Sequence, residues 1–253
     1  MKMDMLTVKD VHKSFGGVKA LDGASLKVKE HSIMGLIGPN GSGKTTLYNV
    51  VTGFYPPDMG EVLFRDESLI GLKPYETSLK GLARTFQITR VFPRMTVLEN
   101  MLVAPTGQKG ENLSSAFLKW RDVLNQEVAY AQKALRLLRF LEIDHLRDEY
   151  AGNLSGGQQK LLELGRILMM DPKIILLDEP VAGVNPTLAV KIFDKIKDLR
   201  EEGDMTFVIV EHNMDVVMSF CDEIYVMNKG QVVAEGTPEE IQRDESVIEA
   251  YLG

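Results

Sequence analysis

The stretch Gly38-Pro39-Asn40-Gly41-Ser42-Gly43-Lys44-Thr45-Thr46 matches the pattern G-x-x-x-x-G-K-[ST] of phosphate-binding P-loops. Its glycines allow successive backbone N–H groups to turn toward a polyphosphate. Lys44 would bring a positive charge to the β- and γ-phosphates, and the Thr45 hydroxyl would ligate Mg²⁺. These residues predict a site for a nucleoside triphosphate. The alternative is a glycine-rich turn that happens to contain a lysine.

The residues on either side of this loop predict a strand–loop–helix unit. Residues 32–37 form a short apolar run typical of a buried strand, and residues 46–51 predict the first turns of a helix. Phosphates would then lie at the N-terminus of that helix, where free N–H groups and the helix dipole favour anions. This setting favours a nucleotide site over an incidental turn.

Length and composition suit one large α/β domain, or one domain with an inserted lobe, because the chain has 253 residues of which 44% are hydrophobic and 26% charged. The net charge of −7 argues against binding to a phosphate backbone, so we expect no nucleic-acid partner.

The single cysteine, Cys221, is interpreted as a buried apolar residue. The first ten residues lack the apolar core of a signal peptide, and no apolar run approaches the roughly 20 residues of a membrane span. We therefore expect a cytosolic protein that meets a membrane only through a partner.

Strand signals occur at both ends of the chain. Alternating apolar and polar residues over 6–14 and 24–29 predict antiparallel strands. The apolar runs at 173–177 and 205–210 are typical of parallel strands that are covered on both faces. Other predicted elements are a strand over 61–64, a helix over 188–202, a hairpin of 223–227 with 231–235, and a helix that starts at Thr237.

The middle of the chain predicts helices and no strand. Thr96 and Glu99 form a capping box that opens one helix, and residues 116–143 are strongly helical. We therefore expect a single domain over 1–253, with a core made of 1–91 and 165–253 and an inserted helical subdomain over about 92–164.

Two carboxylates, Asp178 and Glu179, follow the apolar run at 173–177. A buried strand that ends in two acids is electrostatically costly unless a cation or a proton offsets them. Together with the P-loop, Asp178 is interpreted as a ligand of Mg²⁺, directly or through water, and Glu179 as the general base for an attacking water. The alternative is a pair of exposed acids at a strand end.

The stretch Leu154-Ser155-Gly156-Gly157-Gln158 precedes a helix whose leucines at 161, 164 and 168 share a face. Ser155 would cap this helix, and the two glycines would leave its first N–H groups open to an anion. One γ-phosphate cannot easily occupy two helix N-termini of the same chain, so this second anion site points to an active site shared by two chains. The alternative is an ordinary helix cap.

These motifs, in the order P-loop, Gln87, Leu154 to Gln158, the strand ending at Glu179, and His212, closely resemble the ATPase subunits of ABC transporters over essentially the whole chain. The resemblance implies an α/β fold, with a RecA-like P-loop NTPase core, an antiparallel β subdomain and an inserted α-helical subdomain. It also implies ATP and Mg²⁺ as the bound cofactors.

The resemblance assigns roles to further residues. Phe15 matches the aromatic residue that stacks on adenine, Gln87 matches the glutamine that senses Mg²⁺ and the attacking water, and His212 matches the switch histidine at the γ-phosphate. The implied catalytic residues are thus Glu179, His212, Gln87 and Lys44, and the implied metal ligands are Thr45, Gln87 and Asp178.

The family arrangement also implies a second copy. Two chains would face each other head to tail, so that Ser155 and Gly157 of one chain meet the nucleotide on the Lys44 loop of the other. Asn185 stands where many members have Asp, and is carried over as a dimer contact that keeps a hydrogen bond but loses the charge.

Finer features are similar to the ATPases of branched-chain amino acid importers. They are the segments 83–87, 95–100, 182–186 and 250–253, together with extra sequence from about 105 to 130. This likeness implies an identical or paralogous second ATPase subunit, integral membrane permease subunits, a substrate-binding protein, and a location at the cytoplasmic face of the membrane. Open alternatives are a urea importer, a lipopolysaccharide exporter, or a soluble ABC ATPase of the iron–sulfur cluster assembly type.

Overall fold

A computed structural model describes residues 3–85, 91–111, 119–244 and 247. The chain forms two compact units. The first comprises Met1–Arg84, Lys173–Pro180 and Ile196–Gly253, and the second comprises Thr85–Pro172 and Val181–Lys195.

Strands and helices are numbered separately along the described residues. The strands are β1 (Asp4–Phe15), β2 (Val18–Lys29), β3 (Ile33–Ile37), β4 (Met59–Phe64), β5 (Glu67–Ser68), β6 (Leu82–Arg84), β7 (Ile174–Asp178), β8 (Thr206–Val210), β9 (Glu223–Asn228) and β10 (Gln231–Gly236). The helices are α1 (Lys44–Val51), α2 (Pro74–Leu79), α3 (Val97–Leu102), α4 (Trp120–Phe140), α5 (Gly156–Leu168), α6 (Pro186–Glu202), α7 (Met214–Phe220) and α8 (Pro238–Arg243).

A six-stranded sheet of order β10-β9-β3-β8-β7-β6 forms the centre of the first unit. All neighbouring strands from β9 to β6 run parallel, and β10 is an antiparallel edge strand. Every residue of β3, β7 and β8 is buried, which explains their continuous apolar sequences. The predicted parallel strands and the predicted C-terminal hairpin are therefore confirmed.

A second sheet of order β2-β1-β4-β5 is antiparallel. Its first hairpin is longer than the predicted segments 6–14 and 24–29, because register shifts interrupt the alternation that periodicity detects. One such shift lies between Val8 and Val11, where Asp10 takes a left-handed φ of 47°. Apolar residues of both sheets and of α1 form one continuous core.

The second unit contains the helices α3, α4 and α5. The predicted capping box is present, since the Thr96 N–H donates to Glu99 Oε2 at 2.7 Å and the Glu99 N–H donates to Thr96 Oγ1 at 3.1 Å. The predicted helix over 116–143 is too long at its C-terminal end. It ends at Phe140, because Glu142 turns the chain with a φ of 59° and folds Leu141 and Ile143 into the core.

In the part of the chain that the structure describes, no helix has both the length and the apolar character needed to cross a bilayer.

Candidate nucleotide-binding site

The P-loop joins the end of β3 to the start of α1, as the sequence predicts. Gly38 has a φ of 147°, and a Cβ at this position would lie 2.1 Å from Met227 O. Gly43 has a φ of 107°, and a Cβ there would lie 2.5 Å from Ala20 O. Only glycine fits at both. Gly41 also has a positive φ of 78°, but a Cβ there would meet nothing within 4 Å. The loop is therefore packed on its inner side and open at Gly41.

Lys44 lies inside this loop, where it is buried. Its Nζ donates to the carbonyl oxygens of Gly38 at 2.8 Å and Pro39 at 2.9 Å. Burial lowers the pKa of Lys44, while the nearby carboxylates of Glu179 and Asp178 act in the opposite direction. The loop thus holds a partly desolvated cation, whose attraction to an anion is stronger than it would be in water.

Hydrogen bonds from distant parts of the chain fix the loop and its helix. The Tyr48 hydroxyl, on α1, donates to Val208 O at 2.9 Å and to Leu177 O at 3.3 Å. Burial raises the pKa of Tyr48 well above its usual value, so the hydroxyl remains a donor. The Gly230 N–H, in the β9–β10 turn, donates to Ser42 O at 2.9 Å. The phosphate-binding segment and its helix are therefore attached to two strands of the central sheet, β7 and β8, and to its last hairpin.

Asp178, the last residue of β7, is paired with Arg84 at the end of β6. Arg84 Nη2 lies 3.0 Å from Asp178 Oδ2, and the two side chains are only 7% and 3% exposed. Arg84 Nη1 also donates to Asn49 Oδ1 at 2.6 Å, and the guanidinium lies 5.3 Å from the centre of the Tyr48 ring. The ion pair and the hydrogen bond satisfy a buried charge that would otherwise be costly.

The ion pair between Arg84 and Asp178 changes the interpretation of Asp178. The offsetting charge expected beside Asp178 is present, but Arg84 of the chain itself supplies it. Sequence reasoning missed the role of Arg84. In the sequence, Arg84 is only an arginine that follows a short apolar run. Its role can be recognised once β6 is known to pair with β7, where Arg84 lies opposite Leu176.

The P-loop and the end of β7 carry side-chain oxygen donors, the type of ligand that Mg²⁺ prefers. Among the described residues, no group of three or more His, Cys, Asp or Glu side chains is placed to hold a metal ion. Mg²⁺ is usually held by one or two protein ligands together with substrate phosphates and water. Thr45 and Asp178 provide donors of that kind.

Glu179 and His212 follow two adjacent parallel strands, β7 and β8. Their side chains meet, with His212 Nε2 2.9 Å from Glu179 Oε1. Glu179 has a left-handed φ of 49°, and its N–H donates to Val210 O at 2.9 Å. A non-glycine residue held in this conformation stores strain, which is characteristic of functional sites. Both residues lie at the carboxyl edge of the sheet, the edge at which β3 leads into the P-loop.

The second unit contains the Leu154-to-Gln158 segment. Ser155 caps α5, because its Oγ accepts from the Gln158 N–H at 3.4 Å while its own N–H donates to Gln158 Oε1 at 2.9 Å. The two glycines differ. A Cβ on Gly156 would meet nothing within 4 Å, whereas a Cβ on Gly157 would lie 2.1 Å from Leu188 Cδ2. Gly156 thus faces open space, whereas a side chain at position 157 would force Leu188 to move.

Asn185 caps the next helix in the same unit. Its Oδ1 accepts from the Leu188 N–H at 2.9 Å, at the start of α6. An aspartate would cap in the same way, so the amide preserves this local bond. Phe15, the residue expected to stack on adenine, ends β1 and is 43% exposed. Gln87 and the segment 250–253 lie outside the described residues.

Comparisons with known proteins agree with this arrangement. The sequence pattern described as ABC transporter matches residues 21–182, which is more than half of the chain. The chain belongs to the ABC transporter family. A second pattern, described as branched-chain amino acid ATP-binding cassette transporter, matches residues 231–253.

Individual relatives of this ABC protein are similar over their full lengths. A probable branched-chain amino acid transport ATP-binding protein, LivG, from Archaeoglobus fulgidus is 45% identical, with 99% of this chain and 96% of that protein covered. A solved ADP conformation of an ATP-binding cassette of an ABC transporter superposes with a TM-score of 0.83 at 40% identity, covering 99% of each chain. A dimeric bacterial ABC transporter cassette has a TM-score of 0.76 at 26% identity, covering 92% of this chain and 99% of that one.

These comparisons confirm the predicted fold class, a P-loop NTPase core, and the predicted family. The chain is an ABC ATPase whose ATP hydrolysis is coupled to transport. A soluble ABC ATPase of the iron–sulfur cluster assembly type is not favoured, because the relatives are named as transport ATP-binding proteins.

Proposed function

We propose that this chain is the ATP-hydrolysing subunit of an importer of branched-chain amino acids. The observation that carries the proposal is the match of residues 231–253 to a pattern described for branched-chain amino acid transporters. The P-loop and the Leu154-to-Gln158 segment identify the ABC family in general, whereas this C-terminal match is specific to one group of transporters. The names of the full-length relatives support the same substrate class.

In the proposed mechanism, the P-loop N–H groups and Lys44 hold the phosphates of ATP, and Phe15 lies against its adenine. Glu179 accepts a proton from a water molecule as the water oxygen attacks the γ-phosphorus. The bond from the γ-phosphorus to the β–γ bridging oxygen breaks, its electron pair stays on ADP, and phosphate is formed. His212 orients Glu179 through the 2.9 Å hydrogen bond and reaches the γ-phosphate when nucleotide is bound.

Thr45, Asp178 and Gln87 would hold Mg²⁺, which supplies neutralising charge at the phosphates. Arg84 holds the carboxylate of Asp178 through the 3.0 Å contact between Nη2 and Oδ2. The residues of this chain thus provide both the phosphate cradle and the base.

The proposed active site is completed by a second ATPase subunit. Ser155, Gly156 and Gly157 of that subunit would approach the γ-phosphate at the open N-terminus of α5, and Asn185 would lie near the same interface. The open surface at Gly156 and the existence of a dimeric relative support this arrangement. Closure and opening of the pair would be passed to permease subunits at the cytoplasmic face of the membrane, and a substrate-binding protein would deliver the amino acid.

The shared-site mechanism is tested with Glu179→Gln. This variant is expected to bind ATP, to hydrolyse it at least about 100-fold more slowly than the wild type, and to accumulate as an ATP-dependent dimer in gel filtration. Glu201→Gln, which changes an exposed acid of α6, is the matched control and should behave like the wild type. A Glu179→Gln protein that binds ATP but stays monomeric would contradict the two-chain site.

The transport assignment is tested by purifying the chain from membranes with its partners. We expect two integral membrane proteins to co-purify, and the reconstituted complex to take up leucine, isoleucine or valine when ATP is supplied. Uptake of urea, or co-purification with soluble scaffold proteins alone, would refute the proposal.

A further inference from the structure

Two partly exposed aromatic rings lie in contact beside the predicted adenine position. The ring centres of Phe15 and Tyr55 are 5.2 Å apart, and the rings are inclined at 72° in an edge-to-face pair. Phe15 is 43% and Tyr55 40% exposed, so the pair keeps apolar ring surface available to a ligand. Edge-to-face contacts are a preferred geometry for aromatic rings and restrict their orientation.

Asp58 contacts the two residues that precede Phe15 on β1. Asp58 Oδ2 accepts from the Ser14 N–H at 2.6 Å, and Asp58 Oδ1 accepts from Lys13 Nζ at 2.8 Å. The Lys13 ammonium in turn lies 5.6 Å from the centre of the Phe15 ring. Asp58 therefore fixes both the backbone that precedes Phe15 and the cation that lies over its ring.

Tyr55 is attached to the P-loop helix. The N–H groups of Phe54 and Tyr55 donate to Asn49 O on α1, at 2.8 and 3.2 Å. Two prolines follow Tyr55 and limit the freedom of this turn. The position of the Tyr55 ring is thus set by the same helix that begins at Lys44.

Phe15 is connected to the other side of the P-loop. Lys13 pairs with Leu21 across the β1–β2 hairpin, and Leu21 Cδ2 lies 3.1 Å from the Cβ position at Gly43. Phe15 is two residues after Lys13 on β1, which places it about 7 Å further along the extended strand. The Phe15–Tyr55 pair therefore links β1 to the turn that follows α1.

We propose that Tyr55 is a positioning residue of the nucleobase site, which holds the Phe15 ring in the orientation that receives adenine. The inference rests on the proposed function, because it requires ATP to bind at the P-loop. The tyrosine ring acts through Phe15, so its effect falls on the base and not on the phosphates.

The test compares Tyr55→Ala, Tyr55→Phe and Tyr75→Ala in the full chain, with ATP and inorganic tripolyphosphate as probes in calorimetric binding. Tyr75 is an exposed tyrosine of the same unit and serves as the control. Tyr55→Ala should weaken ATP binding about three- to tenfold, raise KM by the same factor, and leave kcat and tripolyphosphate binding within twofold of wild type. Tyr55→Phe and Tyr75→Ala should match the wild type, and Phe15→Ala/Tyr55→Ala should bind ATP no more weakly than Phe15→Ala.

Tyr55 also lines a cavity of about 210 Å³, together with Val50, Val62 and Leu69, so its loss could act through the fold. Tm is therefore measured for each variant, and Tyr55→Leu, which keeps apolar bulk without the ring, replaces Tyr55→Ala if the latter does not fold. Unchanged ATP affinity in the ring-deleted variant, or an equal loss of ATP and tripolyphosphate binding, would overturn the inference. A wild-type chain that binds no ATP would instead overturn the proposed function.

Discussion

His212 Nε2 and Glu179 Oε1 are 2.9 Å apart, so the proposed switch histidine and the proposed general base are hydrogen-bonded to each other. The contact suits a hydrogen bond that an imidazole N–H donates and a carboxylate oxygen accepts. Glu179 is additionally fixed through its backbone bond to Val210 O. We therefore expect the two residues to act as one functional unit, in which His212 orients the carboxylate of Glu179.

Removing the histidine should act on the chemical step through the glutamate. We expect His212→Ala to lower kcat at least tenfold and to change the Kd for ATP less than threefold. Because the two residues act together, His212→Ala/Glu179→Gln should be no slower than Glu179→Gln alone. Steady-state and single-turnover hydrolysis measure both effects, and multiplicative losses would show that the residues act independently.

Replacing Arg84 by Met should remove the positive charge that pairs with the buried carboxylate of Asp178. We expect a loss of about 3 kcal/mol in the free energy of unfolding. Arg147→Met, which removes an exposed ion pair with Asp148, should cost less than about 1 kcal/mol. The double variant Arg84→Met/Asp178→Asn should recover part of the loss. Urea unfolding of the four proteins is the measurement, and equal losses at Arg84 and Arg147 would contradict the buried pairing.

Alanine substitutions at the two glycines that begin α5 should distinguish an effect on folding from an effect on catalysis. Gly156→Ala places a methyl group in open space and should leave Tm unchanged or slightly raised. Gly157→Ala forces Leu188 to move, so we expect a loss of about 1 kcal/mol relative to Gly156→Ala. Leu188→Ala should relieve the penalty of Gly157→Ala in the double variant. If Gly156→Ala folds normally but hydrolyses ATP slowly, the open side of the helix end faces the partner nucleotide, whereas normal hydrolysis would argue against that contact.

The buried thiol of Cys221 should make stability depend on alkaline pH. Burial raises the pKa of Cys221 from 9.0 to about 12. The unfolded chain therefore loses this proton above pH 9.0 while the folded chain retains it, and folding stability falls as pH rises from 9 toward 12. At pH 10 we expect a loss of about 1 kcal/mol relative to pH 8 that is absent in Cys221→Ala. Urea unfolding at the two pH values tests this, and identical pH dependence in both proteins would refute it.

Local features of the site were predictable from sequence because each depends on neighbouring residues. The P-loop, the Ser155 cap, and the capping box of Thr96 with Glu99 are determined by residues within a few positions of one another. The apolar runs of β7 and β8 predicted buried parallel strands for a similar reason: a strand covered on both faces has no polar side.

Other features depend on residues that are distant in the sequence. The strand β6 has only three residues, and it is recognisable because it pairs with β7. The pairing of Arg84 with Asp178 joins positions 94 residues apart. The end of α4 was misplaced because Leu141 and Ile143 continue its apolar pattern after the helix has stopped. Periodicity records which side chains are buried, and it does not record where the backbone turns.

The position of β3 has a consequence for the order in which the protein matures. This strand, which leads into the P-loop, lies between β8 and β9, and the turn after β9 holds Ser42 through Gly230. A ribosome completes the P-loop sequence early but synthesises those supports between 160 and 184 residues later. The nascent chain therefore carries the phosphate-binding sequence for most of its synthesis without the strands that shape it. The shape of the phosphate loop therefore depends on residues that are synthesised near the end of translation.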